Sequence, residues 1–293
     1  VILTWNAQAY IERLFEGIAK QRLQPDHILV IDSSSTDQTQ SLLTKYPAKV
    51  HIIPQAAFDH GGTRRLAQSL VDADIYIYMT QDAVPADPDT FKKLVAGLLS
   101  SDKIGCAYAR QLPHADANPL AAHLRLFNYP PESQLKSLAD IPQLGIKTCF
   151  NSDSCAAYSK TALEMIGGFP KQAAMAEDVI VAAKMLLAGK NVQYVADSLV
   201  YHSHNFNLRQ EFQRYFAIGV FHRNECWIIE QFKAPTSEGY RFIRSEITYL
   251  IQTKQWGWLP YAASSWLAKW LGYKLGTYHF AIPLKWRVKW GLR

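Results

Sequence analysis

The chain has 293 residues, 48% hydrophobic and 19% charged, with a net charge of +6, enough for one large α/β core or a core plus an appendage, and no low-complexity tract or internal repeat interrupts it. The charge belongs to the tail: after Glu246 there are seven cations and no acid, so everything before is slightly acidic. That asymmetry and the lack of a recognised nucleic-acid motif argue against nucleic acid as a partner. Cys106, Cys149, Cys155 and Cys226 show no CxxC or metal-ligand rhythm, which reads as reduced thiols in a cytosolic setting. The opening VILTW shows neither a signal-peptide pattern nor an initiator methionine, and a few residues are expected to precede it.

Val1–Thr4 predicts a strand, Tyr10–Lys20 an amphipathic helix with Ile11, Leu14, Phe15 and Ile18 on one face, and Ile28–Ile31 a second strand. After DSSSTDQTQ, rich in N-cap residues, a short helix over Gln38–Lys45 leads to strand Val50–Ile53. Gly61-Gly62 opens a helix over Thr63–Val71, and Ile75–Met79 is a continuous apolar strand of the kind buried on both faces. Pro85 and Pro88 precede helix Thr90–Leu99, and strand Ile104–Ala109 follows. Leu112–Thr148, with five prolines, reads as a long irregular stretch of functional type. Phe150–Tyr158 is strand-like, Lys160–Ile166 a short helix closed by Gly167-Gly168, and Val179–Ala188 a helix stopped at Gly189. Strand segments Val192–Val195 and Leu199–Tyr201 and one long helix over Leu208–Phe232 complete the pattern.

The tail from 233 carries six of the eight tryptophans, Trp256, Trp258, Trp266, Trp270, Trp286 and Trp290, among its lysines and arginines. Indole with cations is the composition of an interfacial membrane contact. No apolar run reaches the roughly 20 residues of a spanning helix, because Lys269 and Lys274 interrupt the best candidate. The tail therefore reads as lying on a membrane; the alternative is a helical pair with tryptophans in its core.

Asp32 and Asp82 end apolar strands, Glu177-Asp178 stands at a helix start, and His202 and His204 follow a strand. In an open parallel sheet, ligands collect at the carboxyl ends of the strands, so these residues point to one polar site, open to metal assistance. A dinucleotide fingerprint GxGxxG and a P-loop are both absent.

The segments LTWNAQAYI, IDSSSTDQT, FDHGGTRRLAQ, TQDAVP and AEDVIVAAKMLLAGK with VYHSHNFNLRQEFQRYFAIGVFH resemble family 2 glycosyltransferases. Within that family they look most like bacterial rhamnosyltransferases that use dTDP-L-rhamnose, over about residues 1–230. The resemblance implies an α/β GT-A fold, a Rossmann-like mixed sheet flanked by helices, as domain 1–232, with 233–293 as a helical aromatic and basic extension.

Under the resemblance, Thr4, Trp5, Asn6 and Asp32 take the nucleoside base, and Arg64 faces the diphosphate, while neighbouring Arg65 points elsewhere around the helix. The family's DXD metal motif is reduced to Asp82, flanked by Gln81 and Ala83. A divalent Mg or Mn ion would take Asp82 and both phosphates, with His202 or His204 as a late ligand. Strand spacing alone does not choose between the two histidines. Asp178 is the expected general base of an inverting transfer, with Glu177 positioning the acceptor or the loop, and Asp153 (with Asn151) lines the donor sugar.

These expectations describe an inverting transfer of a sugar, L-rhamnose from dTDP-L-rhamnose, to a hydroxyl of a lipid-linked surface glycan, by a protein peripheral on the cytoplasmic face of the cell membrane. Another dTDP- or UDP-sugar is the alternative donor. A catalytically silent GT-A domain that binds glycan or membrane is the alternative of a different class, suggested by the eroded DXD.

Overall fold

The computed structural model of the chain describes residues 1–173, 175–233 and 238–291. Strands β1 (Ile2–Thr4), β2 (Leu29–Asp32) and β3 (Lys49–Ile52) alternate with helices α1 (Ile11–Ala19) and α2 (Thr39–Leu43). Helix α3 (His60–Leu70), strands β4 (Ile75–Thr80) and β5 (Val84–Pro85), helix α4 (Thr90–Leu99) and strand β6 (Ile104–Leu112) follow. Next come α5 (Pro119–Asn128), β7 (Gln134–Lys136), α6 (Ile141–Leu144), β8 (Cys155–Ser159), α7 (Lys160–Met165), α8 (Glu177–Leu187) and β9 (Asn191–Tyr201). Helices α9 (Leu208–Asn224), α10 (Cys226–Phe232), α11 (Glu238–Gln252), α12 (Leu259–Thr277) and α13 (Leu284–Lys289) complete the order.

Packing divides the chain elsewhere than at the expected break after 232. One compact unit takes residues 1–112, 129–140 and 148–202; the other takes 113–128, 141–147 and everything from Ser203 onward.

The first unit is built on a nine-stranded mixed sheet in the order β3-β2-β1-β4-β8-β6-β9-β5, with β7 also paired to β9. The four strands β3, β2, β1 and β4 run parallel, so their carboxyl ends lie along one edge. Register sets Thr4 beside Asp32 and Leu3 beside Thr80. Strand β8 is antiparallel to both β4 and β6, and β6 is parallel to β9. A core of Ile2, Ile11, Leu14, Phe15, Val30, Met79, Phe91 and Leu94 fills the space between sheet and helices. The apolar stripe of α1 is what seats it there: Ile11, Leu14, Phe15 and Ile18 are all buried.

Several expectations are corrected. The stretch 112–148 is not irregular, because its prolines mark element ends rather than abolish structure. Pro119 begins α5, where a missing N–H costs nothing, and Pro130-Pro131 follow that helix before β7. Strand β6 runs on to Leu112, past the expected end at Ala109. The two segments around 196–198 are one strand, β9, whose register jumps from Val195 to Leu199 between consecutive partners Ala109 and Arg110. This bulge is held by Ser133 Oγ accepting from the Ala196 N–H at 2.9 Å and by Ser198 Oγ donating to the Thr90 carbonyl at 2.9 Å. The expected helix 208–232 breaks at Glu225 into α9 and α10. Helix α3 begins at His60, with Asp59 as its N-cap accepting from Gly62 N–H at 2.8 Å, so both glycines lie inside its first turn.

The second unit is helical, with α9 packed closely along α12. A Cβ on Gly276 would stand 2.1 Å from the Phe216 carbonyl oxygen, and one on Gly272 2.4 Å from that of Phe212. Only glycine permits this approach. Leu120, Leu250 and Ala262 form a small core with Tyr249, Trp258 and Trp266 against it. Among the described residues no helix is long and apolar enough to cross a membrane.

Candidate active site

The carboxyl edge of the parallel strands carries a connected polar network. Asp32, fully buried at the end of β2, accepts from Thr4 Oγ1 at 2.9 Å, Ser35 N–H at 2.8 Å, Ser35 Oγ at 2.6 Å and Gln40 Nε2 at 2.8 Å. Two donors on each oxygen satisfy the carboxylate. Asp32 therefore organises loop 33–40. Asn6 crosses to the same loop, receiving Thr36 N–H at 2.9 Å on its side-chain oxygen while its own N–H goes to Ser35 Oγ at 2.8 Å.

Gln81 holds Trp5 by both ends: its Oε1 accepts from the Trp5 N–H at 2.9 Å and its Nε2 donates to the Trp5 carbonyl at 3.3 Å. The indole beyond is 41% exposed, a flat apolar face at the strand edge. Asn6 and Ser34 sit here with φ of +48° and +56°, and such left-handed residues concentrate where loops are held for function.

Next along the chain, Asp82 Oδ1 faces His202 Nε2 at 3.5 Å. The imidazole Nδ1 meets Gln111 Oε1 at 2.8 Å, and Gln111 Nε2 donates to Ser152 Oγ at 2.8 Å. Because an amide oxygen accepts, Nδ1 donates to Gln111 and the ring turns its Nε2 toward the Asp82 carboxylate. An aspartate oxygen and an imidazole nitrogen placed side by side fit the oxygen and imidazole ligation of a Mg or Mn ion. His202 lies just past the end of β9, so strand alternation does not relate it to His204. His204 belongs to the second unit, stacked on Phe206 with ring centroids 4.9 Å apart.

The acid pair lies at the start of α8, two residues earlier than the expected helix. Ala176 precedes it in a left-handed conformation, φ +58°, at about 1–2 kcal/mol for a residue with a Cβ. Glu177 is turned inward to the Arg64 Nη1 at 2.8 Å, and the Arg64 Nε stands 2.7 Å from Asp153 Oδ2. All three are buried. Arg64 thus clamps α3 to α8 and to the turn before β8, its guanidinium engaged by two carboxylates. Arg65 reaches the carbonyls of Gly167 and Phe169 at 2.5 and 2.9 Å. Asp153 also accepts from Tyr158 OH at 2.5 Å, and Tyr158 OH accepts from Asn151 Nδ2 at 2.6 Å. Neither Asn151 nor Asp153 is surface-lining: each is 2% exposed.

Asp178 is the half-buried acid of the pair and Glu177 the buried one. It accepts from the Asp153 N–H at 3.2 Å and the Val179 N–H at 2.8 Å. Burial, then the charges of Glu177 and Asp153, raises its carboxyl well above the ordinary range, as suits a group that must take a proton near neutrality. Burial pushes Asp153 up to about 6 despite Arg64.

Adjacent residues tie these parts into one site. Thr4 touches Asp32 while Trp5 touches Gln81; Gln81 adjoins Asp82; Asp153 touches Asp178 while Ser154 Oγ lies 3.3 Å from His202 Nδ1. Sequence reasoning missed Gln111 and Ser154. Carrying β6 to Leu112 would have placed Gln111 at a strand's carboxyl end, where a polar residue is informative.

A mixed sheet with an acid, an aspartate–histidine pair and an aromatic platform at its carboxyl edge defines a nucleotide-sugar transferase of GT-A fold. The chain belongs to glycosyltransferase family 2: the signature of "Glycosyl transferase family 2" matches residues 1–167. It is 46% identical, over 97% of its length and 90% of the relative's, to the O-antigen chain rhamnosyltransferase RfbN of Salmonella typhimurium. It is 42% identical over the same shares to the O-antigen chain rhamnosyltransferase WbaN of Salmonella anatum. The fold is similar to that of the mannosyltransferase PcManGT from Pyrobaculum calidifontis, solved with GDP-Man and Mn2+, at a TM-score of 0.60 and 17% identity over 99% of this chain and 82% of that one. It is also similar to that of residues 1–349 of S. aureus TarS with UDP-GlcNAc, at 0.54 and 16% identity over 96% and 90%.

Proposed function

We propose that the protein transfers L-rhamnose from dTDP-L-rhamnose to a hydroxyl of a lipid-linked O-antigen-type glycan, with inversion, at the cytoplasmic face of the membrane. The sugar and glycan class come from the two rhamnosyltransferases that share 42–46% identity with nearly the whole chain. The observation that carries the mechanism is Asp178, an acid of raised pKa hydrogen-bonded to the loop that also touches His202.

Thr4, Trp5 and Asn6 form the base and ribose face, with Asp32 holding the Thr4 hydroxyl and Gln81 the Trp5 backbone. Asp82 and His202, with His204 two residues on, hold a Mg or Mn ion. When bound, that ion supplies positive charge to the leaving diphosphate. Asp178 takes the proton of the acceptor hydroxyl as its oxygen bonds to the anomeric carbon from the face opposite the diphosphate, and the bond to the diphosphate breaks. Arg64, Asp153 and Glu177 keep Asp178 in place.

Docking at the membrane is supported by the second unit's surface. Trp256, Trp270, Phe280, Leu284 and Trp286 are exposed apolar side chains amid Lys274, Lys285 and Arg287.

Thermal unfolding with dTDP-, UDP- and GDP-sugars, with and without Mn2+, tests the donor, since a ligand of the native state raises stability with its affinity. The largest shift is expected with dTDP-L-rhamnose plus Mn2+. A larger response to a GDP-sugar overturns the donor assignment.

A further inference from the structure

Within the second unit, a cleft of about 560 Å³ opens between α5 and α11, inside the range of about 300–1,000 Å³ of small-ligand sites. Helix α11 contributes Arg241, Arg244, Ser245 and Thr248, which share one face at helical spacing. Opposite stand Leu126 and Phe127 of α5. Among the described residues no carboxylate lines the cleft. The nearby Glu246 is fully buried and already engaged, by Trp266 Nε1 at 2.6 Å and His123 Nδ1 at 3.3 Å. His123, 2% exposed, in turn meets Ser245 Oγ through Nε2 at 2.9 Å, which fixes the floor.

The two arginines are not consumed by the fold. Arg244 makes no ion pair among the described residues, and Arg241, 71% exposed, approaches Glu238 only to 3.8 Å. Two guanidinium groups three residues apart on a helix offer paired donors suited to two neighbouring phosphates. Leu126, Phe127 and Tyr249 give an apolar wall beside them. Such a surface selects a dianionic head on a hydrocarbon chain. The single phosphodiester of a bilayer lipid suits instead the exposed tryptophans and lysines of α12 and α13.

We infer that this cleft holds the diphosphate head of a lipid that carries the acceptor glycan, with the arginines on the phosphates and the α5 side chains against the first carbons of the chain. The inference rests on the lipid-linked acceptor proposed above.

Calorimetric titration of the full chain with farnesyl diphosphate tests it, using inorganic diphosphate as the control ligand and Lys285→Ala/Arg287→Ala as the control variant. Wild type should bind farnesyl diphosphate at least about tenfold more tightly than inorganic diphosphate, and Arg241→Ala/Arg244→Ala should lose about tenfold or more, the scale of a charge-assisted hydrogen bond. The control variant should bind as wild type, and the arginine variant should still sediment with phosphatidylglycerol vesicles. Undiminished binding by the arginine variant, equal affinity for inorganic diphosphate, or loss of vesicle binding through the arginine pair would each overturn the inference. Steady-state kinetics separate this from the function itself. Wild-type turnover with an unchanged acceptor KM in the arginine variant sinks the cleft alone, whereas no wild-type transfer from any donor sinks the transferase reading and leaves the titration to judge the cleft.

Discussion

Arg64 is the residue whose environment most changes what the sequence suggests. As an arginine after a glycine pair at a helix start it invites a phosphate-binding role, yet it is 3% exposed between Asp153 and Glu177. Removing one member of a buried charge network leaves the others uncompensated, at about 3–5 kcal/mol. Arg64→Met should therefore lower the unfolding free energy by that order in denaturant titration, and wild-type stability in Arg64→Met would refute the clamp. Asp153 gives the same network a pH signature. Its carboxyl is raised from 3.8 to about 6, so the native state holds a proton that the unfolded chain has released. The associated stability is complete below about pH 3.8 and is lost as pH rises through about 6. Melts across that window should show a fall that Asp153→Asn flattens. Gln111 acts through another residue: by accepting the Nδ1 proton it fixes the His202 tautomer. Gln111→Leu should weaken Mn2+ binding by about 10–100-fold, read by paramagnetic resonance of free Mn2+, with Gln111→Glu restoring it. Of these residues the sequence exposed the chemistry but not the partners. Asp32, Asp82, Glu177 and Asp178 stand out by position at element ends, while the pairing of Arg64 inward and the reach of Gln111 depend on contacts between residues 89 to 113 positions apart.

At the scale of elements, local patterns were legible wherever periodicity was strong. Helix α4 has the expected bounds, and β1, β2, β4 and α1 lie within a residue or so of them. Proline content misled in 112–148, since a proline at a helix start is compatible with helix. The bulge at 196–198 hid the continuity of β9 because its cause is tertiary, in Ser133 and Thr90. The contact of α9 with α12 was not legible either: nothing in a single glycine tells which carbonyl it approaches. Gly276→Val would drive a side chain into the Phe216 carbonyl 2.1 Å from the Cβ position, and overpacking of this kind costs about 1–3 kcal/mol or more. Thermal unfolding should show the loss, while Gly239→Val, with open space around it, should lose much less.

For the whole molecule, a sheet edge gathers residues from five strand ends and one helix start into a site where Asp178 is the group placed to take a proton. Its raised carboxyl predicts that transfer climbs with pH through an acid limb above the ordinary carboxylate range. The most direct test is Asp178→Asn assayed with dTDP-L-rhamnose, Mn2+ and a lipid-linked acceptor, alongside donor binding to the same variant. The variant should bind donor as wild type does and lose transfer by about 10²–10⁴-fold, the scale of a general base. Transfer at the wild-type rate by Asp178→Asn would contradict the mechanism.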